Sequence, residues 1–391
     1  MVEGAALRQR LARLAACNIH LAAALLTLGL AIALHHPGLE SPIYSDIVSL
    51  YLDRIARTAP QGGGGLLLPY RDFYLEYPPL VGLLWLLSAN IRLPGLGGLE
   101  SHYIIQALAA TAMGLLSVEA VRRLAGVERA LAAALLPSMA VYSVYNWDLL
   151  AAAPMLWGLY MFTRGRSLAA GILLGLGGAA KLLPLLAAAA LPVAAGRRGL
   201  WAAAAAFAVT AASFLAAEAL APGYIEDFYR HHSGWYIEGS WLLVFGDPFS
   251  PGLRRASQVL AALAVLAALA ASRLLRLDPI TAAFTTLSAY LLGTYVYTPQ
   301  MNLLPALLAL STPLFTPALY PLLLAQDTAT AAVILTWHTT PNPLAPLAPP
   351  TIATYIKAAL LLAIAGAIIH RAYRRRGTSP GAPQASLNPG E

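Results

Sequence analysis

What most constrains this chain is the way arginine interrupts its apolar runs. Ala- and Leu-rich stretches alternate with the clusters Arg8/Arg10/Arg13, Arg122/Arg123/Arg129, Arg164/Arg166, Arg197/Arg198, Arg273/Arg276 and Arg371/Arg374/Arg375/Arg376. The runs reach membrane-spanning length only between these clusters. With 59% hydrophobic and 11% charged residues among 391, the pattern is that of an all-α polytopic membrane protein, not a soluble domain with a large core. The net charge of +7 comes from arginines at helix ends, as the positive-inside rule requires, so no nucleic-acid partner is expected. Lysine occurs only as Lys181 and Lys357, and the single cysteine, Cys17, allows neither an internal disulfide nor a metal–thiolate site.

Topology follows if every arginine cluster is cytoplasmic. The run at 14–34 is long enough to remain as an anchor and leads outward, which leaves residues 37–100 as a first outer loop. Helical hairpins then join neighbouring clusters. One has Asn146-Trp147-Asp148 at its outer turn, and the next has Lys181 near its outer turn. Residues 222–251 form a second outer loop. The scheme gives about twelve spans, both termini inside, one membrane domain over 1–375, and a disordered cytoplasmic tail at 376–391. The apolar run 79–89 would be ~16 Å long as a helix, short of a ~30 Å hydrocarbon core, and is expected to lie on the outer face. Residues 47–55 place Ile47, Leu50, Tyr51 and Ile55 on one side at helical spacing, a second surface helix.

The first outer loop is unusual. Between residues 45 and 80 it holds four acids, Asp46, Asp53, Asp72 and Glu76, in a chain poor in charge. Carboxylates beside a membrane are costly unless solvated, paired or used. The other polar motifs fall on the same side: YNWD, GGAAKLLP, YRHHSGWYIEGSW, YTPQ and TWHTTPN. Cytoplasmic turns carry little besides arginine. One-sided chemistry suits an enzyme whose site faces outward. A transporter or flippase of a lipid-linked sugar has a similar helix count, but needs polar groups near the midplane and two similar halves. No half-to-half repeat is visible here.

These motifs carry a resemblance. Asp46 in SDIVSLY, the block YRDFYLEYPPL, the NWDLLA turn, the Lys181 segment AAKLLP, GWYIEGSW and YTPQ stand in an order similar to that of the GT-C fold glycosyltransferases that use polyprenyl-phosphate sugars, and most of all of glycosyltransferase family 87. The likeness covers about residues 10–340. The chain departs from the family pattern at Arg230-His231-His232-Ser233 and in the extra glycine of Glu238-Gly239-Ser240. The resemblance implies a GT-C-like bundle and a polyprenyl (dolichyl) phosphate sugar donor, usually of mannose. It also implies a glycolipid or glycan acceptor, and an inverting transfer outside the cytoplasm among membrane lipids.

Inverting transfer needs one base to take the acceptor proton, worth ~10²–10⁴-fold. Asp46 holds the family's catalytic position. Its competing role is the N-cap of a helix starting at Ile47. Asp53 reads as a solvated partner of Arg54. Asp72 and Glu76, flanking Tyr74 and beside Arg71 and Tyr77, either order the loop or touch the acceptor. Donor phosphate is assigned to Lys181, Arg230, His231 and His232, with snorkelling or a solvated loop as the alternatives. Sugar or acceptor contacts are assigned to Asp72, Glu76, Tyr77, Asn146, Asp148, Glu238, Gln300 and His338. Asp327, inside a span beside Gln326, reads as paired to a neighbouring helix. No metal-ligand spacing stands out, so neither a metal nor another cofactor is expected.

Overall fold

The computed structural model describes residues 2–40, 43–57 and 65–377, with side chains from residue 18 onward. In chain order the helices are α1 (Val2–His35), α2 (Asp46–Tyr51), α3 (Pro79–Asn90), α4 (Gly98–Ala125), α5 (Val127–Ala134), α6 (Pro137–Tyr142), α7 (Asp148–Thr163), α8 (Ser167–Ala180), α9 (Pro184–Leu220), α10 (Tyr224–Gly234), α11 (Pro251–Leu275), α12 (Pro279–Gly293), α13 (Leu303–Ser311), α14 (Tyr320–Trp337) and α15 (Pro349–Gly377). Among the described residues there is no strand, only the isolated bridges Pro69–Phe73 and Glu238–Val296. The all-helical expectation is met. Arg376 and Gly377 still belong to α15; the rest of the expected tail, and the Cys17 side chain, lie outside the described residues.

Among the described residues six helices are long and apolar enough to cross a membrane: α1 over Asn18–His35, α4, α9, α11, α14 with its preceding turn, and α15. That makes a multi-pass membrane protein. The other apolar helices are shorter. Helix α7 has 16 residues and α8 has 14, about 24 and 21 Å at 1.5 Å per residue. Helix α3, with 12 residues, is too short to span by length, as its sequence suggests, and buries Val81, Trp85 and Ala89. The run after Asp46 also folds as its spacing indicates. Helix α2 and the π-turn Leu52–Ala56 bury Ile47, Leu50, Tyr51 and Ile55.

Helix α9 is two helices joined at Ala195 and Gly196, whose backbones leave the helical region; Gly196 has φ +57°. The bend sets Gly199 against the Leu191 carbonyl, a separation of eight residues that a straight helix would stretch to about 12 Å. Arg197 and Arg198 sit at this reversal, as the cluster pattern requires.

The arginine clusters gather at helix ends, where four carbonyls lack intrahelical partners. Arg129 donates to the carbonyls of Leu310, Thr312 and Phe315 at the end of α13. Arg198 donates to Phe162 O at the end of α7, and Arg376 donates to Leu274 O at the end of α11. A guanidinium at a helix C-terminus also opposes the negative end of the dipole.

The interior is made by close helix approach. Gly171 and Gly175 on α8 face α9, where a β-carbon at Gly175 would lie 2.6 Å from Val209 Cβ and 2.7 Å from Ala206 O. The Thr210 hydroxyl crosses the same interface to Gly175 O at 3.0 Å. Small residues that let backbones meet are the usual means of joining helices in lipid, where apolar surface alone gives no drive. Gly175→Val should therefore overpack this seam and cost roughly 1–3 kcal/mol. Unfolding in detergent checks this, and an unchanged midpoint would show that the seam can open freely.

Candidate active site

Asp46 is the first residue of α2. Ser45, not Asp46, is the cap: its hydroxyl accepts from Ile47 N at 3.2 Å and donates to Val144 O at 2.8 Å. The capping alternative for Asp46 is thereby removed, and its carboxylate is left to the cavity. Asp46 N donates to Tyr145 O at 2.9 Å, which locks α2 onto the turn before α7. Asp46 Oδ2 then accepts from Tyr77 OH at 3.0 Å and from Asn146 Nδ2 at 2.6 Å, and Asn146 also donates to the Tyr77 oxygen at 2.8 Å. Three segments distant in sequence thus meet on one carboxylate.

Burial pushes the Asp46 carboxyl up to about 6. The hydrogen bonds from Tyr77 and Tyr44 and the charge of Lys181 pull it back, while Glu76 pushes it further up. The Tyr77 hydroxyl is held well above its usual range, first by burial and then by the neighbouring carboxylates Asp46 and Glu76. Tyr77 is therefore a neutral donor, and the bond does not compete for the aspartate's charge.

These groups line one cavity of about 660 Å³. Glu76, Lys181, His231, His232, Glu238, Gln300 and His338 lie on its wall with Asp46, Tyr77 and Asn146. The motifs of separate loops, expected on one side of the bundle, converge here. The wall is built from helix ends: the start of α2, the turn before α7, the α8–α9 turn, the end of α10 and the end of α14.

Lys181 ends α8 and places Nζ 2.8 Å from both carboxylate oxygens of Asp148. Asp148 is fully buried, while the Lys181 side chain is 13% exposed. Asp148 is absent from the cavity wall; where the sequence suggested a sugar contact, the structure places an ion pair that holds Lys181 in position. Glu238, also on the cavity wall, accepts from Trp235 Nε1 at 2.7 Å, and Trp235 stacks on Tyr236 at 14° between planes. Burial raises the Glu238 carboxyl, with the Asp46 charge adding to it. Gln300 Oε1 is buried with no hydrogen-bond partner among the described residues, and His338 packs on Tyr44.

Other assignments change. Arg230 is exposed and paired with Glu226 and Asp227 on its own helix, away from the cavity; i,i+3 and i,i+4 acids claim it first. Asp72 also lies off the wall. It is bound by Arg71 at 2.8 Å and by Leu68 N at 2.8 Å, and so shapes the loop. His231 and His232 are on the wall, His231 half-buried and His232 exposed, and loss of hydration lowers both below the usual histidine value. Asp53 pairs with Arg57 at 2.6 Å, not with Arg54.

Arg54 is the cavity cation that the sequence reading missed. It sits 3.6 Å from Glu76 Oε1 and over the Tyr74 ring. The signal was available: residues 46, 50 and 54 follow i, i+4, i+8, which sets Arg54 on the Asp46 face of one helix. Asp327 behaves as expected. It receives Ser138 N at 2.7 Å at the start of α6 and Asn302 Nδ2 at 3.3 Å.

A carboxylate held by neutral donors, sharing a cavity wall with the cations Lys181 and Arg54 and with stacked aromatics, is the equipment of group transfer to a hydroxyl. The sequence model of glycosyltransferase family 87 matches residues 74–299, more than half of this chain, and the chain belongs to that family. It is a glycosyltransferase. No curated protein matches. Among solved structures, ArnT from Cupriavidus metallidurans in the apo state is similar at 18% identity and a TM-score of 0.39, covering 93% of this chain and 78% of that one. ArnT bound to undecaprenyl phosphate gives 18% and 0.39, covering 92% and 78%. That likeness is too distant to carry an argument about this chain.

The buried pair makes its own prediction. Lys181→Met strands the Asp148 charge in the bundle, and breaking such a pair on one side costs about 3–5 kcal/mol. Lys181→Met with Asp148→Asn should recover most of that loss. Unfolding of the three proteins in matched detergent decides it; a single mutant as stable as the wild type would show that water or another group solvates Asp148.

Proposed function

We propose that this glycosyltransferase is an inverting hexosyltransferase that moves a sugar, mannose in our reading, from a polyprenyl phosphate to a lipid-linked or glycan hydroxyl at the outer membrane surface. The observation that supports it most is the state of Asp46. Its carboxylate lies on the cavity wall and is held by neutral donors. Among the described residues no cation lies within ion-pair distance of it. A base bound to a cation would be weak. Burial makes this one stronger than an ordinary aspartate.

In this reading the acceptor oxygen attacks the anomeric carbon as its proton passes to Asp46. The bond from that carbon to the phosphate oxygen breaks on the far face, and the electron pair leaves with the lipid phosphate. That oxygen already carries a stable anion, so the leaving group needs charge stabilisation more than a proton. Lys181 supplies it: an ammonium has three donors, and Asp148 occupies two directions. Arg54 offers a second cation, held in place by Glu76 and Tyr74. Asn146, Glu238 and Gln300 are the sugar and acceptor contacts. Trp235 and Tyr236 present stacked faces to the sugar ring.

The reading uses no metal, so transfer should survive EDTA. Asp46→Asn keeps size and leaves the Ser45 cap intact. Transfer from labelled polyprenyl phosphate mannose should fall ~10²-fold or more, with the donor still bound. Near-normal turnover would remove Asp46 from the chemistry. A base must be ionised, and burial pushes the Asp46 carboxyl up to about 6. The rate should therefore be flat above that pH and fall about tenfold per unit below it. A profile flat down to pH 4.5 would contradict the assignment.

A further inference from the structure

Lys357 is the second of the two lysines and is fully buried in the third turn of α15, outside the family-matched segment. An ammonium inside a span is expensive and needs partners. Among the described residues no acid lies within ion-pair distance. Its Nζ instead donates to Tyr297 O at 2.6 Å and to Gly239 O at 3.2 Å, and lies 3.6 Å from the centre of the Tyr297 ring.

Those two carbonyls belong to the two strand-like segments that form one wall of the cavity. Glu238 N donates to Tyr295 O at 3.0 Å, and Tyr297 N donates to Glu238 O at 2.9 Å. The Ser240 hydroxyl adds a bond to Thr294 O at 3.0 Å. Gly239 adopts φ +60°, and a β-carbon there would run into the Tyr297 carbonyl. Each carbonyl oxygen carries partial negative charge, and one ammonium bonded to both attracts the two together. Glu238 and Gln300, one on each segment, face the cavity, whereas Lys357 does not line it.

We infer that Lys357 is a positioning residue that clamps the segment carrying Glu238 to the segment carrying Gln300, and so sets the sugar-facing wall of the cavity. It acts through Glu238, never on the substrate. The role of Glu238 toward sugar rests on the transferase reading above; the clamp itself does not.

Two measurements separate these layers. Hydrogen exchange of residues 236–240 and 294–298 reads the clamp without substrate. Lys357→Met should speed exchange of the Glu238 and Tyr297 amides by about tenfold or more, the order expected from one lost charged hydrogen bond, while amides on α7 and α8 hold. Equal exchange in mutant and wild type overturns the clamp. Kinetics with polyprenyl phosphate mannose then read its purpose. Lys357→Met and Glu238→Gln should each lower kcat/KM, and the double mutant should be no worse than the poorer single, because both act on one contact. Additive losses would make Lys357 merely structural. If Lys357→Met does not fold, Gly239→Ala disturbs the same crossing from the loop side and must show the same exchange change and the same non-additivity with Glu238→Gln. A wild type that shows protected 238 and 297 amides but transfers no sugar would sink the functional reading and leave the clamp standing.

Discussion

The Asp46 carboxylate is the point on which the rest of the site depends. It sits where an apolar bundle meets a polar cavity, so it loses much of its hydration without gaining a cation. Neutral donors are the compromise: Tyr77 and Asn146 hold its position and leave its basicity high. A guanidinium in the same place would hold it as well and leave it a poor base. Each donor enters from a different loop, so the helices that carry those loops must be fixed before the base exists.

That requirement explains why chemistry is confined to helix ends. A helix in lipid satisfies its own backbone, and polar side chains along it are a cost. At the ends, backbone groups need partners anyway, and the turns between helices can carry Asn, Lys, Glu and Gln with little penalty. Helices α7 and α8 show both halves of the arrangement. Asp148 at the start of α7 pairs with Lys181 at the end of α8, which alone of the two reaches the cavity, while Arg164 and Arg166 occupy the opposite turn. Where charge does enter the bundle it is paired at once, as Asp148 is by Lys181, Asp327 by the start of α6, and Lys357 by two carbonyls.

Much of this was legible in the sequence because membrane helices and arginine clusters leave strong signals. The hairpin turns at Asn146 and Lys181 fell where cluster spacing put them, and α2 with the π-turn after it followed the four apolar residues that the two bury. Span length was harder to read. Alternating clusters imply crossings, whereas α7 and α8 are shorter than a bilayer core, so parity and length are separate signals. Partner choice was least legible. Arg230 reads as a phosphate cation until its own helix supplies Glu226 and Asp227. Asp148 reads as a sugar ligand until folding buries it under Lys181. Arg54 was lost by pairing it with its sequence neighbour, although helical spacing sets it on the Asp46 face. Lys357 gave no local signal, since its partners are more than fifty residues away in each case.

The central claim is that one carboxylate, Asp46, serves a single in-line displacement. The most direct test is the anomeric configuration of the product formed from a donor of defined configuration, read by the one-bond carbon–hydrogen coupling at the anomeric centre. Inversion is the result this account predicts. Retention would contradict it, because a retained centre needs a second displacement or a front-face path that a lone base at Asp46 does not provide.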